Sequence, residues 1–214
     1  MTRILGIASF IVVGISILPM PALALDSVKG LTKQAQQECD QGRLAKDRSA
    51  RLAYFQKGQA LAEQAVTLDE RDANAHFVLF CNLGEQLRID GESVTSVFGF
   101  RRMMKELDRA LELNPAHLDA LSAKGTFLVK LPSLLGGDPE KGEQLLQQVI
   151  TQEPKAVNAR LALAKVWCEH GRHREAVMLA SDALALAKEQ RQTEFIPEAT
   201  AVLAQVRTNA TKAN

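Results

Sequence analysis

Residues 158–184, NARLALAKVWCEHGRHREAVMLASDAL, decide the fold. Small residues recur at Ala159, Ala164, Ala176, Ala180 and Ala183 at helical spacings on either side of Gly171, which can adopt the left-handed exit a tight turn needs. Two helices pressed together through small side chains are the simplest reading. Working outward, the pair Ala176/Ala183 has three upstream counterparts: Gly58/Ala65, Met103/Ala110 and Gly142/Val149. Each of these is followed by an acidic or proline turn, at Glu70, Pro115 and Pro154. The second members lie 45, 39 and 34 residues apart. The last spacing is one helical hairpin, and the others are that unit with about eleven and about five residues inserted. Such arrays bury their cores between neighbouring hairpins and leave a concave surface free. The chain is therefore expected to be an all-α solenoid of about four helix pairs with a C-terminal capping helix.

Residues 1–24 stand apart. Arg3 gives a positive start, Ile4 to Leu18 carries no charge, Pro19 and Pro21 break any helix, and Ala22-Leu23-Ala24 has the small-x-small form of a cleavage site. The apolar run is shorter than the roughly twenty residues a spanning helix needs. This predicts a cleaved Sec-type signal peptide, no membrane span after cleavage, and a periplasmic or secreted protein with residues 25–208 as the solenoid. Residues 209–214 read as a disordered tail. Losing Arg3 takes 26 basic residues to 25, against 25 acidic ones. A neutral chain without a basic stripe argues against nucleic acid as a partner. Cys39, Cys81 and Cys168 are odd in number and fall in three different repeats, which favours packing thiols over a bridge.

The helices follow from periodicity and stop signals. The first is expected from Ser27 to Gln41, stopped by Gly42, and the second from Asp47, its cap, to Leu68. A third begins near Asp72, buries Ala75, Leu79 and Leu83 with Phe80 beside them, and ends near Asp90-Gly91. Residues 91–101 form the longer insertion, before a fourth helix that reaches Leu113. The fifth covers residues 116–130, and residues 131–137 form the shorter insertion. Asp138-Pro139-Glu140 restarts the chain as a sixth helix, with Asp as cap and Pro in the first turn. The seventh and eighth flank Gly171, and a ninth, over about 194–208, covers the open end of the last pair.

The segment from Asn158 to Leu184 resembles the tetratricopeptide repeat. It carries Ala159, Leu163-Ala164, Trp167, Gly171, Glu175-Ala176, Ala180 and Ala183-Leu184 in the family's order. Leu118-Asp119-Ala120, Gly125 and Pro154 match in the preceding unit, and Ala73-Asn74-Ala75 with Pro115 in the one before. Phe80 and Met103 stand where the family wants small residues, which predicts repeats splayed or rotated at that point. The stretch Leu131-Pro132 with Leu135-Gly136-Gly137-Asp138 looks like periplasmic tetratricopeptide proteins associated with tripartite (TRAP) transporters. A fainter likeness is to a mitochondrial and microtubule-associated tetratricopeptide family, which the export signal disfavours.

In the tetratricopeptide family the first helix of each pair lines the concave face. Carried across, this implies a partner-binding groove of Asn74, Phe77, Cys81 and Glu85, then Asp119, Ser122, Thr126 and Lys130, then Asn158, Leu161, Lys165 and Glu169. Each set is spaced by three or four residues and so shares one helix face. Its mixed charges, amides and apolar anchors suit a peptide segment or partner helix, with a small molecule as the alternative occupant. Phe98, Phe100 and Arg101 of the longer insertion and Leu134 and Leu135 of the shorter one form a second candidate edge. Cys168, His170 and His173 are acceptable zinc donors, but they straddle a turn and lack a good fourth ligand, so no metal is expected. His76 and His117 read as surface or packing residues. No isolated carboxylate pair, nucleophile elbow or phosphate loop is present, which predicts neither cofactor nor catalysis. The expected function is an exported, non-enzymatic scaffold that docks a protein partner; the alternative is a small-ligand-binding accessory of a transport system.

Overall fold

The computed structural model describes residues 22–90 and 94–212, and for residues 22–26, 90 and 94–96 the backbone only. Residues 1–21 of the expected signal peptide lie outside the described residues, and its last three, Ala22 to Ala24, fall in the first turn of α1. Among the described residues, nine α-helices follow in order: α1 Ala22–Leu44, α2 Arg48–Leu68, α3 Ala73–Asp90, α4 Val94–Leu113, α5 Leu118–Lys130, α6 Pro139–Gln152, α7 Val157–Glu169, α8 His173–Glu189 and α9 Ile196–Lys212. A 3-10 turn, Ser133–Leu135, interrupts the α5–α6 connection, and no strand occurs among the described residues. Helices pair as α1/α2, α3/α4, α5/α6 and α7/α8, and α9 packs on α8 and α7 as the cap. This is the expected α-solenoid.

The repeated small-residue positions lie where the hairpins press together. Gly58, Ala65, Met103, Ala110, Gly142, Val149, Ala176 and Ala183 are all buried. Helix starts are fixed by side chains that accept otherwise unpaired backbone N–H groups. Asp47 accepts from Ala50 at 2.8 Å, Asp72 from Ala75 at 2.8 Å and Asp138 from Lys141 at 3.0 Å.

Several boundaries differ from the sequence expectation, among them the start of α1, which lies at Ala22 and not at Ser27. Gly42 does not stop α1. It is buried inside the helix with the Phe55 ring laid against it, and a Cβ there would come within 2.4 Å of that ring. Close packing, not chain reversal, explains this glycine. The longer insertion is also mostly helix, because α4 already begins at Val94. Gly99 lets its first turns approach Leu87 of α3, and no proline forbids their winding. Finally, residues 209–212, expected as disordered tail, complete α9.

The splay expected at Phe80 is present. First helices follow one another closely at α1/α3, α5/α7 and α7/α9, whereas α3 and α5 stand apart. Aromatic rings fill the space between them. Phe80 meets the Phe127 ring edge-on at 6.0 Å, Phe100 meets Phe127 at 5.9 Å, and Phe77 lies 4.8 Å from the His117 ring. Met103 is accommodated because its sulfur faces the bare backbone of Gly84.

Candidate functional site: a cavity on the inner face

The wide α3–α5 junction opens onto a half-open cavity of about 860 Å³ on the inner face of the array. Side chains from α3, α5 and α7 converge there because each is the first helix of its pair and turns the same face inward. Ten of the twelve groove positions line it: Phe77, Cys81, Glu85, Asp119, Ser122, Thr126, Lys130, Asn158, Leu161 and Lys165. Asn74 and Glu169 do not. Asn74 lies at the start of α3, a turn before Phe77, and Glu169 is the last residue of α7, a turn beyond Lys165.

The sequence reading missed both end walls. Gln36, Asp40 and Arg43 of α1 close one side, and Glu194, Phe195 and Glu198 at the start of α9 close the other. The Arg43 guanidinium sits over the Phe195 ring at 5.6 Å, joining the first helix to the last across the cavity. The signal was available. α1 is itself a first helix, and Gln36, Asp40 and Arg43 show the same three- and four-residue spacing; α9 occupies the first-helix place of an incomplete fifth pair.

Charges in the cavity are mostly matched. Buried Glu85 receives Arg43 Nε at 2.9 Å and Arg88 Nη1 at 3.2 Å. Lys165 Nζ donates to Glu198 Oε1 at 2.8 Å. Burial would raise the Glu198 carboxyl, but Lys165, with Arg88 and Arg43 nearby, more than offsets it and holds the group below the usual range. Lys130 is different: it makes no ion pair among the described residues, and partial burial together with the Lys165 ammonium pushes its own ammonium down. It is the cavity cation best placed to gain from an acidic group on an occupant. Beside it, Phe77, Phe80, Phe127 and Leu161 give an apolar shelf.

The remaining candidates are dispersed. Phe100 turns inward onto Phe127, whereas Phe98 is 72% exposed. Arg101 and Leu135 border a second, outer hollow between α4 and the 3-10 turn, and Leu134 is 99% exposed. Cys168 Sγ lies 3.7 Å from His173 Nδ1 and accepts from Asn209 of the cap at 3.4 Å. His170 points elsewhere, to Glu143 at 2.9 Å, so Cys168, His170 and His173 do not converge. Cys39 and Cys81 are free thiols; burial pushes Cys39 up to about 12 and Cys81 well above its ordinary value, so both are poor nucleophiles.

His76 is a packing residue, one of the two readings its sequence position allows. It is buried, with Nδ1 2.6 Å from Glu106 Oε2 of α4 and Nε2 3.0 Å from the Glu70 carbonyl. Both partners are acceptors, so the charged ring satisfies both, and the Glu106 contact raises its pKa. His117 does the opposite job. Its Nδ1 accepts from Ala120 N as the α5 cap, and burial lowers its pKa.

A model of the family described as regulator of microtubule dynamics protein 1-3 matches residues 21–134, more than half of the 214-residue chain. The chain belongs to this family. Of the two finer likenesses in the sequence, the one set second is thus the one a family model carries. A tetratricopeptide repeat model matches residues 134–206, so the regular C-terminal half carries the general repeat signal. Among solved structures, the tetratricopeptide protein TTC0263 of Thermus thermophilus is similar with a TM-score of 0.53 at 17% identity, over 86% of this chain and 99% of that one. PilF of Pseudomonas aeruginosa gives 0.51 at 14%, over 86% and 78%. At these identities the likeness is of fold. No curated protein sequence matches the chain.

Proposed function

We propose that the chain is a non-enzymatic docking module of the cell envelope that takes an extended or helical segment of a partner protein into its inner cavity. The observation that carries this is the convergence of ten first-helix positions, from three successive pairs, on one half-open cavity. Its mixture of an apolar shelf, matched charges and one unmatched lysine suits a peptide with an apolar anchor near an acidic group. Regulation of microtubule dynamics belongs to the family's description. For this chain the same cavity would serve such a role only through a protein segment it captures. Pull-down from envelope extract with wild type and with Phe77→Ala/Lys130→Ala tests the reading. Loss of a partner from the double variant is expected, and equal recovery of every partner rejects the cavity as the docking site.

Export is part of the proposal and rests on residues 1–24. Cleavage after Ala24 would remove the first three residues of α1 and leave it running from Leu25, ahead of Val28, the first buried side chain among those described. Mass spectrometry should find a mature N-terminus at Leu25, and an intact Met1 would count against export. A small-ligand accessory of a transporter is the second reading. The cavity volume falls within the roughly 300–1,000 Å³ of small-molecule sites, and the Arg43–Phe195 contact partly closes it.

A further inference from the structure

Away from the cavity, one edge of the molecule holds large apolar side chains in water. Leu134 is 99% exposed and Leu135 67%, both in the 3-10 turn; Phe98 is 72% exposed and Val97 54%, both at the start of α4. The turn is firmly built. Leu135 N and Gly137 N donate to the Pro132 carbonyl at 2.8 and 3.1 Å, Gly136 N to Ser133 at 3.0 Å, and Asp138 N to Leu128 at 2.8 Å. Gly136 takes a positive φ of 87°, and Gly137 presses so closely on the Leu131 carbonyl that a Cβ would lie 1.7 Å from its oxygen. Two leucines are therefore held outward by a backbone that cannot easily fold them away.

Basic side chains flank this tip. Along α4, Phe98, Arg101 and Lys105 stand on one exposed stripe. Arg101, Lys105 and Leu135 border the same outer hollow, which puts the stripe and the turn side by side. Neighbouring charges are taken: Lys124 pairs with Asp108, Arg109 with Glu112, and Arg102 with Glu63. Arg101 and Lys105 have no partner among the described residues. Exposed leucines and a phenylalanine beside two unmatched cations complement an anionic lipid surface, where apolar tips enter the headgroup region and cations meet lipid phosphates.

We propose that this edge docks the protein peripherally on anionic membranes, through Leu134, Leu135 and Phe98 with Arg101 and Lys105. The contact leaves the inner cavity free, so the inference stands apart from peptide docking. The test is sedimentation of the purified full chain with vesicles of phosphatidylcholine alone and of phosphatidylcholine mixed equally with phosphatidylglycerol. Pelleting with the mixed vesicles only, weakened by salt, is expected. Leu134→Ser/Leu135→Ser should lower the apparent affinity by about tenfold per leucine. Arg101→Gln/Lys105→Gln should lower it by roughly fivefold per residue. Circular dichroism checks that both variants remain helical, and the exposed positions give them no reason to unfold. Absence of pelleting with either vesicle, equal pelleting with both, or unchanged pelleting of the leucine variant overturns the proposal. So does ultracentrifugation showing wild-type self-association that the leucine variant loses, which would make the edge a contact between copies.

Discussion

The junction between α3/α4 and α5/α6 and the junction between α7/α8 and α9 close the same kind of gap with opposite materials. In the first, Phe77, Phe80, Phe100 and Phe127 fill a wide space between helices that stand apart. In the second, Ala164, Ala176, Ala180, Ala183, Ala187 and Ala199 let backbones come close over Val202, Leu203 and Val206. Small residues draw helices together, and rings hold them apart; the cavity opens where the rings are. The ring-filled junction should therefore be the one most easily broken by truncation. Phe80→Ala should cost about 3–5 kcal/mol, since a buried ring leaves a void that two widely spaced helices cannot collapse. Because repeats are coupled through their neighbours, denaturant melting of this variant should separate the N-terminal half from the rest. A single transition with less than about 1 kcal/mol lost would show that the rings are ornamental.

Enlargement should reverse the order of sensitivity. At the tight α5/α6 contact, a Cβ on Gly142 would meet the Gly125 carbonyl oxygen at 2.8 Å and the Val129 backbone nitrogen at 2.9 Å. Backbone cannot step aside, so Gly142→Ala should destabilise by about 1–3 kcal/mol despite its better helix propensity. In the aromatic half, a Cβ on Gly84 meets only the Met103 sulfur, at 3.2 Å. That thioether can swing away, so Gly84→Ala should be neutral or stabilising by up to about 1 kcal/mol. Chemical denaturation midpoints of the two variants check the contrast, and equal losses would abolish it.

The same division explains what was legible in the sequence. Ala176, Ala180 and Ala183 announce the C-terminal pair because tight packing leaves a fixed spacing of small residues, and Gly171 marks its turn. The inner face of a first helix is set by period alone, and Phe77, Glu85, Lys130 and Lys165, which share that face, line one cavity. What escaped depended on contacts distant in sequence. Gly42 looks like a stop until Phe55 is seen against it. Phe98 and Phe100 look equivalent until α4 winds one outward and the other onto Phe127. His76 reads equally as a surface or a packing residue until Glu106, thirty residues on, is seen to reach it.

A subtler test uses the two histidines that open α3 and α5, on either side of the wide junction. His76 has its pKa raised, chiefly by the Glu106 hydrogen bond. Its contribution is complete below the unfolded value of about 6.5 and is lost as pH rises through the folded value. His117 has its pKa lowered by burial, so its contribution is present above about 6.5 and is lost as pH falls through the folded value. Denaturation midpoints against pH should thus show His76→Gln removing a decline on the alkaline side. His117→Asn, which can still cap α5, should remove one on the acid side. Identical pH profiles for wild type and both variants would mean that neither ring is held as the geometry indicates.

The smallest expected effect concerns whether the two ends of the array feel each other at all. Arg43 over Phe195 is the direct contact that joins α1 to the entry of α9, the Arg43-dominated N-terminal wall to the alanine-packed C-terminal one. A cation over a ring is worth about 0.5–1 kcal/mol when partly exposed. Arg43 also binds buried Glu85, so Arg43→Gln alone mixes the two losses. A double-mutant cycle with Phe195→Leu, which keeps apolar volume but removes the ring face, isolates the shared part. A coupling of about 0.5 kcal/mol would mean that the array is fastened across its cavity, so that an occupant must enter past the contact or open it. Zero coupling would leave the two halves joined only through the repeats between them, and the aromatic junction would then alone set how wide the cavity stands.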